Sequence, residues 1–305
     1  MLTRPLGPNL PAVTIVGYGG MHLSLDSRPP DDVGVKVIHA ALDAGETLID
    51  TADVYCLDQN DVGHNERLIA RALREWRGNR EHILVATKGG LVRPTGRWDR
   101  DARPEQLRQA CDRSLKALGV EQIALYQLHA VDPNVPLEES LGAMVDLQKA
   151  GKIRAIGLSN VSVDEIKRGE RVTTIATVQN RLNPFFREAI REGVIDYCAT
   201  RGIGFLAYSP TGGARLTRKL PSHPVLQQIA RRLNSTPHQV TIAWDIAQAP
   251  TVFAIPSSRT VEHALDGAKA GDLTLSRKTS APSTTPTSTG RSGRRNTGDG
   301  RREQR

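Results

Sequence analysis

Apolar residues fall into two alternating patterns along this chain. Short β-branched runs predict buried strands at residues 13–17, 47–50, 83–88, 123–129, 153–159, 174–179, 203–208 and 252–255. Between them lie stretches with helical periodicity. Residues 32–44 end at Gly45, a residue type that closes helices because it enters the left-handed region without strain. Residues 66–76 follow. Residues 104–118 open on Pro104, whose fixed φ suits a first turn, and stop at Gly119. Residues 137–150 stop at Gly151, and 187–200 stop before Gly202. Residues 225–233 and 237–249 predict a helix pair.

Eight such alternations in about 270 residues predict an α/β fold, a parallel (β/α)8 TIM barrel. A doubly wound sheet competes. It usually carries GxGxxG after its first strand, and Gly17-Tyr18-Gly19-Gly20 does not fit.

The pattern stops at Ser276. Residues 276–305 hold no large aliphatic or aromatic side chain, so burial cannot offset the entropy of ordering them. The expected organisation is a barrel over 1–275 and a disordered Ser/Thr/Pro/Arg-rich tail over 276–305. The tail also explains the charge. The chain carries a net +8, and eight basic residues against two acids beyond residue 276 account for +6 of it. The barrel is nearly neutral, which argues against nucleic acid or an anionic membrane as its partner. A binding role for the tail alone lacks aromatics for base stacking. No run of 18 apolar residues predicts a membrane span, and the N-terminus lacks the apolar stretch of a secretory signal. Cys56, Cys111 and Cys198 lie far apart with no metal-ligand spacing, as reduced cytoplasmic thiols would.

In a barrel of this kind, chemistry sits at the C-terminal strand ends. The second predicted strand ends in Asp50, with Tyr55 shortly after; the third ends in Lys88 and the fourth in His129. An ammonium stabilises tyrosinate and so lowers a tyrosine's pKa. A carboxylate would hold that ammonium, and a neutral histidine would orient a carbonyl oxygen. Together they could deliver a proton to oxygen as hydride reaches carbon.

The segments Asp50-Thr51-Ala52-Asp53-Val54-Tyr55, Ala86-Thr87-Lys88 and Tyr126-Gln127-Leu128-His129 resemble the aldo-keto reductase superfamily. So, in order, do Ile156-Gly157-Leu158-Ser159-Asn160, Val178-Gln179-Asn180, Ala207-Tyr208-Ser209-Pro210 and Ile255-Pro256-Ser257-Ser258. The resemblance implies NADPH-dependent reduction of a small carbonyl substrate, with NADH as the possible alternative cofactor and no metal. It implies Tyr55 as proton donor, Lys88 and Asp50 as its activating pair, and His129 as the orienting residue. Ser159, Asn160 and Gln179 would bind the nicotinamide carboxamide, and Tyr208 would stack on its ring. Ser209 and Thr211 would approach the pyrophosphate. Ser257, Ser258, Arg259 and His263 would surround the adenosine phosphate, and Asp266 would contact adenine. Gly19, Gly20 and Met21 would lie at the substrate mouth. The resemblance leaves open a regulatory barrel with vestigial chemistry, and does not give the oligomeric state.

Two loops stay ambiguous. Residues 91–101 hold Arg93, Arg97 and Trp98, whose cations either attract an anionic substrate or face solvent. Residues 211–220 are a candidate closing loop over the cofactor. Relatives continue beyond residue 276 with an acidic amphipathic helix, which this basic tail replaces.

Overall fold

The computed structural model describes residues 1–275; the tail expected at 276–305 lies outside them. Eight parallel strands stand side by side in chain order: Tyr18–Gly19, Leu48–Asp50, Leu84–Gly89, Ile123–Leu128, Ile153–Ser159, Ile175–Arg181, Gly204–Tyr208 and Val252–Ala254. Val16 bridges to Ala254, and Gly17 N donates to Ala254 O at 2.9 Å, closing the sheet into a barrel. Helices connect successive strands and cover the outside.

The first predicted strand is the main correction. Residues 12–14 pair antiparallel with Thr3–Pro5 instead of joining the barrel, which the chain enters only at Val16. Val13, Ile15 and Val16 are buried in either arrangement, so hydrophobicity could not separate them. The hairpin plugs the bottom of the barrel with Leu6, and a Cβ on Gly204 would lie 1.8 Å from Leu6 O. Gly204→Ala must therefore push the hairpin out, at about 2–3 kcal/mol in urea unfolding. Gly142→Ala, in the open on helix Leu137–Lys149, should instead stabilise by about 0.5–1 kcal/mol. Equal effects would refute the plug.

The helices follow their caps. Pro104–Leu118 ends at Gly119 with φ 68°, as expected. The helix predicted over 187–200 is two, Glu188–Arg191 and Val194–Arg201, broken at Gly193 with φ 72°. Helix Val163–Glu170 escaped the apolar pattern, although Ser162 and Glu165 form a reciprocal cap that the sequence displays. Residues 91–101 fold into a small hairpin, Leu91–Val92 against Asp99–Arg100.

Inside the barrel, Leu48, Leu84, Leu125, Leu206 and Phe253 fill the lower layers. Above them the lining turns polar at Asp50, Lys88, Gln127, Thr177 and Gln179, all buried. That change from oil to hydrogen bonds fixes where chemistry can happen.

Candidate active site

Lys88 is fully buried just below the barrel mouth. Its ammonium donates to Asp50 Oδ2 at 2.6 Å, Thr51 O at 2.8 Å and Tyr55 Oη at 3.1 Å. Three donors meet three acceptors, so its orientation is fixed. The other oxygen of Asp50 accepts from Gln179 Nε2 at 2.8 Å and Gln127 Nε2 at 3.4 Å. Gln127 in turn accepts from Thr177 Oγ1 at 3.3 Å. In the sequence, the one local sign of this role is that Gln127 is a polar residue inside an apolar strand.

Burial opposes the Lys88 charge, but Asp50 and Tyr55 outweigh it and raise its pKa. Burial also raises the Tyr55 pKa; Lys88 offsets this only in part. The expected lowering by the ammonium is thus the smaller effect. The consequence is a tyrosine that holds its proton at neutral pH, with a cation in place to receive the tyrosinate.

His129 follows the fourth strand. Its ring lies 5.8 Å from that of Tyr55 at 78°, edge to face. Burial, then the Lys88 charge, push its pKa well below the usual value, so it is neutral at physiological pH. Its Nδ1 is buried and has no hydrogen-bond partner among the described residues. A buried nitrogen left unsatisfied on a ring packed against Tyr55 suits a site awaiting a polar ligand.

A cavity of about 730 Å³ opens above these groups. Of the catalytic and cofactor residues singled out from the sequence, all but Lys88 and Asp266 line it. Lys88 lies beneath the surface. Asp266 borders an adjoining cavity of about 90 Å³, which shares Thr211, Ser257, Ser258 and His263 with the main one, and accepts from Thr236 Oγ1 at 2.9 Å and Gln239 Nε2 at 2.7 Å. Its carboxylate therefore reinforces the start of helix Pro237–Ile246. Gly19 and Met21 line the main cavity; Gly20 is tucked behind, where a Cβ would meet Asn65 Oδ1 at 2.5 Å. Asn65, also unread in the sequence, donates to Gly20 O at 2.8 Å and accepts from Thr51 Oγ1 at 2.6 Å. It ties the first two strand-end loops together.

On the far wall, Asn160 donates to His129 O at 3.0 Å and accepts from Tyr208 Oη at 2.8 Å. Asn160 and Ser209 have φ of 59° and 51°, which non-glycine residues seldom adopt and which cluster at ligand sites. Arg259 donates to His22 O at 3.2 Å and Asp26 O at 3.0 Å, fastening the last strand-end loop to the first. Thr211 and Thr217 hydroxyls meet at 2.6 Å in the candidate closing loop. Arg93 and Arg97 do not line the cavity; Trp98 does.

A tyrosine hydroxyl, a buried cation-carboxylate pair and a neutral imidazole thus converge at one barrel mouth, a set able to pass a proton to a bound ligand. Residues 15–281 match the model of the aldo/keto reductase family, and the chain belongs to that family, whose members reduce carbonyls with nicotinamide cofactors. An uncharacterized oxidoreductase of Schizosaccharomyces pombe is 32% identical over 270 residues, covering 87% of this chain and 83% of its own. A probable aldo-keto reductase of Glycine max is 32% identical over 280 residues, covering 82% and 79%. The crystal structure of an aldo/keto reductase from Klebsiella pneumoniae, in complex with NADP and acetate, aligns with a TM-score of 0.77 at 26% identity. That alignment covers 91% of this chain and 93% of the other. The chain is thus an oxidoreductase that reduces aldehydes or ketones to alcohols. Among the described residues no helix is long and apolar enough to cross a membrane.

Proposed function

We propose that this protein reduces small aldehydes and ketones with NADPH, using Tyr55 as the acid. The contact of Lys88 with both Asp50 and Tyr55 carries the reading. Tyr55 gives its phenolic proton to the substrate oxygen, and Lys88 stabilises the tyrosinate left behind. Neutral His129 donates a second hydrogen bond to the same oxygen and orients it. Asp50, held by Gln179 and Gln127, keeps Lys88 charged and in place. Bound NADPH supplies the hydride that the carbonyl carbon accepts.

The donor set fits that cofactor. Ser159, Asn160 and Gln179 offer a hydroxyl and two amides to a carboxamide, and Tyr208 offers a ring face. Ser209 and Thr211 offer hydroxyls on the cavity wall to the pyrophosphate, and the Klebsiella relative was crystallised in complex with NADP. Ser257, Ser258, Arg259 and His263 present hydroxyls, a guanidinium and an imidazole beside the start of helix Val261–Ala268, a set suited to a ribose phosphate. Both Asp266 oxygens already have protein partners, so this acid is the weakest of the assigned contacts. A regulatory barrel would need cofactor binding but not this intact proton-donating set. The three free, buried cysteines suit a reducing compartment, and we place the protein in the cytoplasm.

Arg259→Ala tests the cofactor assignment. Loss of one charge-assisted phosphate contact is expected to raise the NADPH dissociation constant about ten- to a hundredfold. The NADH value should change much less, since NADH lacks that phosphate. Fluorescence titration of both cofactors checks this; equal weakening would mean that Arg259 acts only by fastening His22 and Asp26.

A further inference from the structure

Arg93 is a buried guanidinium, 6% exposed, that the chemistry above does not use. Among the described residues it makes no ion pair, its Nε has no partner, and its one hydrogen bond is from Nη2 to Leu57 O at 2.9 Å. Burying an uncompensated cation is costly, so the position needs a physical reason. One is visible. The guanidinium lies over the indole of Trp98, 4.4 Å from the ring centroid.

Trp98 separates two spaces. It lines the 730 Å³ substrate cavity, which Arg93 does not reach. Arg93 lines a neighbouring groove of about 460 Å³, which Trp98 does not. The guanidinium therefore backs the indole from the side away from substrate. On the substrate side, the Trp98 ring lies 6.3 Å from both Tyr55 and His129, edge to face with each. Those two residues mark the place of the carbonyl oxygen. A substituent on the carbonyl carbon leaves that point along the third ring.

Besides those two ring edges, the indole is held by the guanidinium. Trp98 stands next to Asp99 at the base of the loop of the hairpin Leu91–Val92/Asp99–Arg100, across from Arg93, and is 47% exposed. A side chain so placed would swing freely without a backing contact. Arg93 supplies one, and through Leu57 O it ties the hairpin to the turn that carries Tyr55.

We propose that Arg93 is a positioning residue that sets substrate selectivity: it fixes the Trp98 indole as a wall of the site, favouring carbonyls with a flat, π-rich substituent over saturated ones of equal size. This rests on the reductase reading and deepens it.

The test compares benzaldehyde with cyclohexanecarbaldehyde at saturating NADPH, reading the ratio of their kcat/KM values in each protein. Intrinsic reactivity cancels between variants. Trp98→Leu is expected to lower the ratio about tenfold, the upper range for one aromatic pair. Arg93→Met should lower it about threefold to fivefold, the range of a cation-π contact. In Arg93→Met the loss should appear in KM for benzaldehyde, with kcat and both constants for the saturated aldehyde little changed. Arg93→Lys keeps a cation over the ring and should restore most of the preference. An unchanged ratio in Trp98→Leu would overturn the wall. A lowered ratio in Trp98→Leu but not in Arg93→Met would overturn the role of Arg93. Equal losses for both aldehydes in Arg93→Met, with a lowered melting temperature, would make Arg93 merely structural and overturn the proposal as well. Wild-type protein that binds NADPH yet reduces neither aldehyde would refute the reductase reading itself, before any variant is compared.

Discussion

Tyr55→Phe is expected to lower kcat for aldehyde reduction by about 10²- to 10⁴-fold, the usual contribution of a positioned general acid. The substitution removes one oxygen and leaves the ring. Contacts of that ring with His129 and Trp98 survive, and so does the Lys88–Asp50 pair. NADPH affinity should stay close to that of wild type, because none of the residues assigned to the cofactor is touched. The pH profile adds a second check. With the Tyr55 pKa raised by burial and that of Lys88 raised by its partners, both groups keep their protons through neutrality. Reduction by the wild type should therefore be flat around pH 7 and fall only in the alkaline range. A wild-type profile falling already below neutrality would point to another acid, as would normal activity in Tyr55→Phe.

Three of the four residues proposed for catalysis could be read from the chain because they stand at or next to a strand end, which strand periodicity places well. Tyr55 lies in the loop five residues past Asp50. Asp50 and Lys88 stand in strands and His129 directly after one, so their convergence follows from barrel geometry alone. Their supports were less legible. Gln127 and Asn65 act through groups far off in sequence, among them Asp50 77 positions and Gly20 45 positions away, and no local pattern encodes such pairings. The opposite limit shows at residues 13–17, a β-branched run that predicts one barrel strand: Val13 and Thr14 pair with the N-terminal strand instead, and only the far end of the run meets the barrel. Alternation specifies a strand and its buried face; it does not name the partner strand. Arg93 shows the same limit for charge. From sequence, an arginine in a loop beside the site is a candidate anion receptor or a solvated cation, and only the fold reveals it pressed against the back of an indole.

Lys88→Met should produce the largest loss of stability together with loss of activity. It leaves the Asp50 carboxylate buried, with Oδ2 facing a methyl group where the ammonium stood at 2.6 Å. Thr51 O loses its partner at the same time. Breaking one side of a buried pair costs about 3–5 kcal/mol, because the remaining charge is neither solvated nor paired. Asp50→Asn placed on top removes that charge, while the new amide oxygen still accepts from Gln179. The double variant is therefore expected to regain about half of the lost stability in urea unfolding, although its Nδ2 then lacks an acceptor. Turnover should not return, since no cation is left to receive the Tyr55 oxyanion. Stability and catalysis would thus separate on the same two residues. A double variant no more stable than Lys88→Met alone would mean that the ammonium acts through packing, and that the buried charge of Asp50 is already satisfied by Gln179 and Gln127.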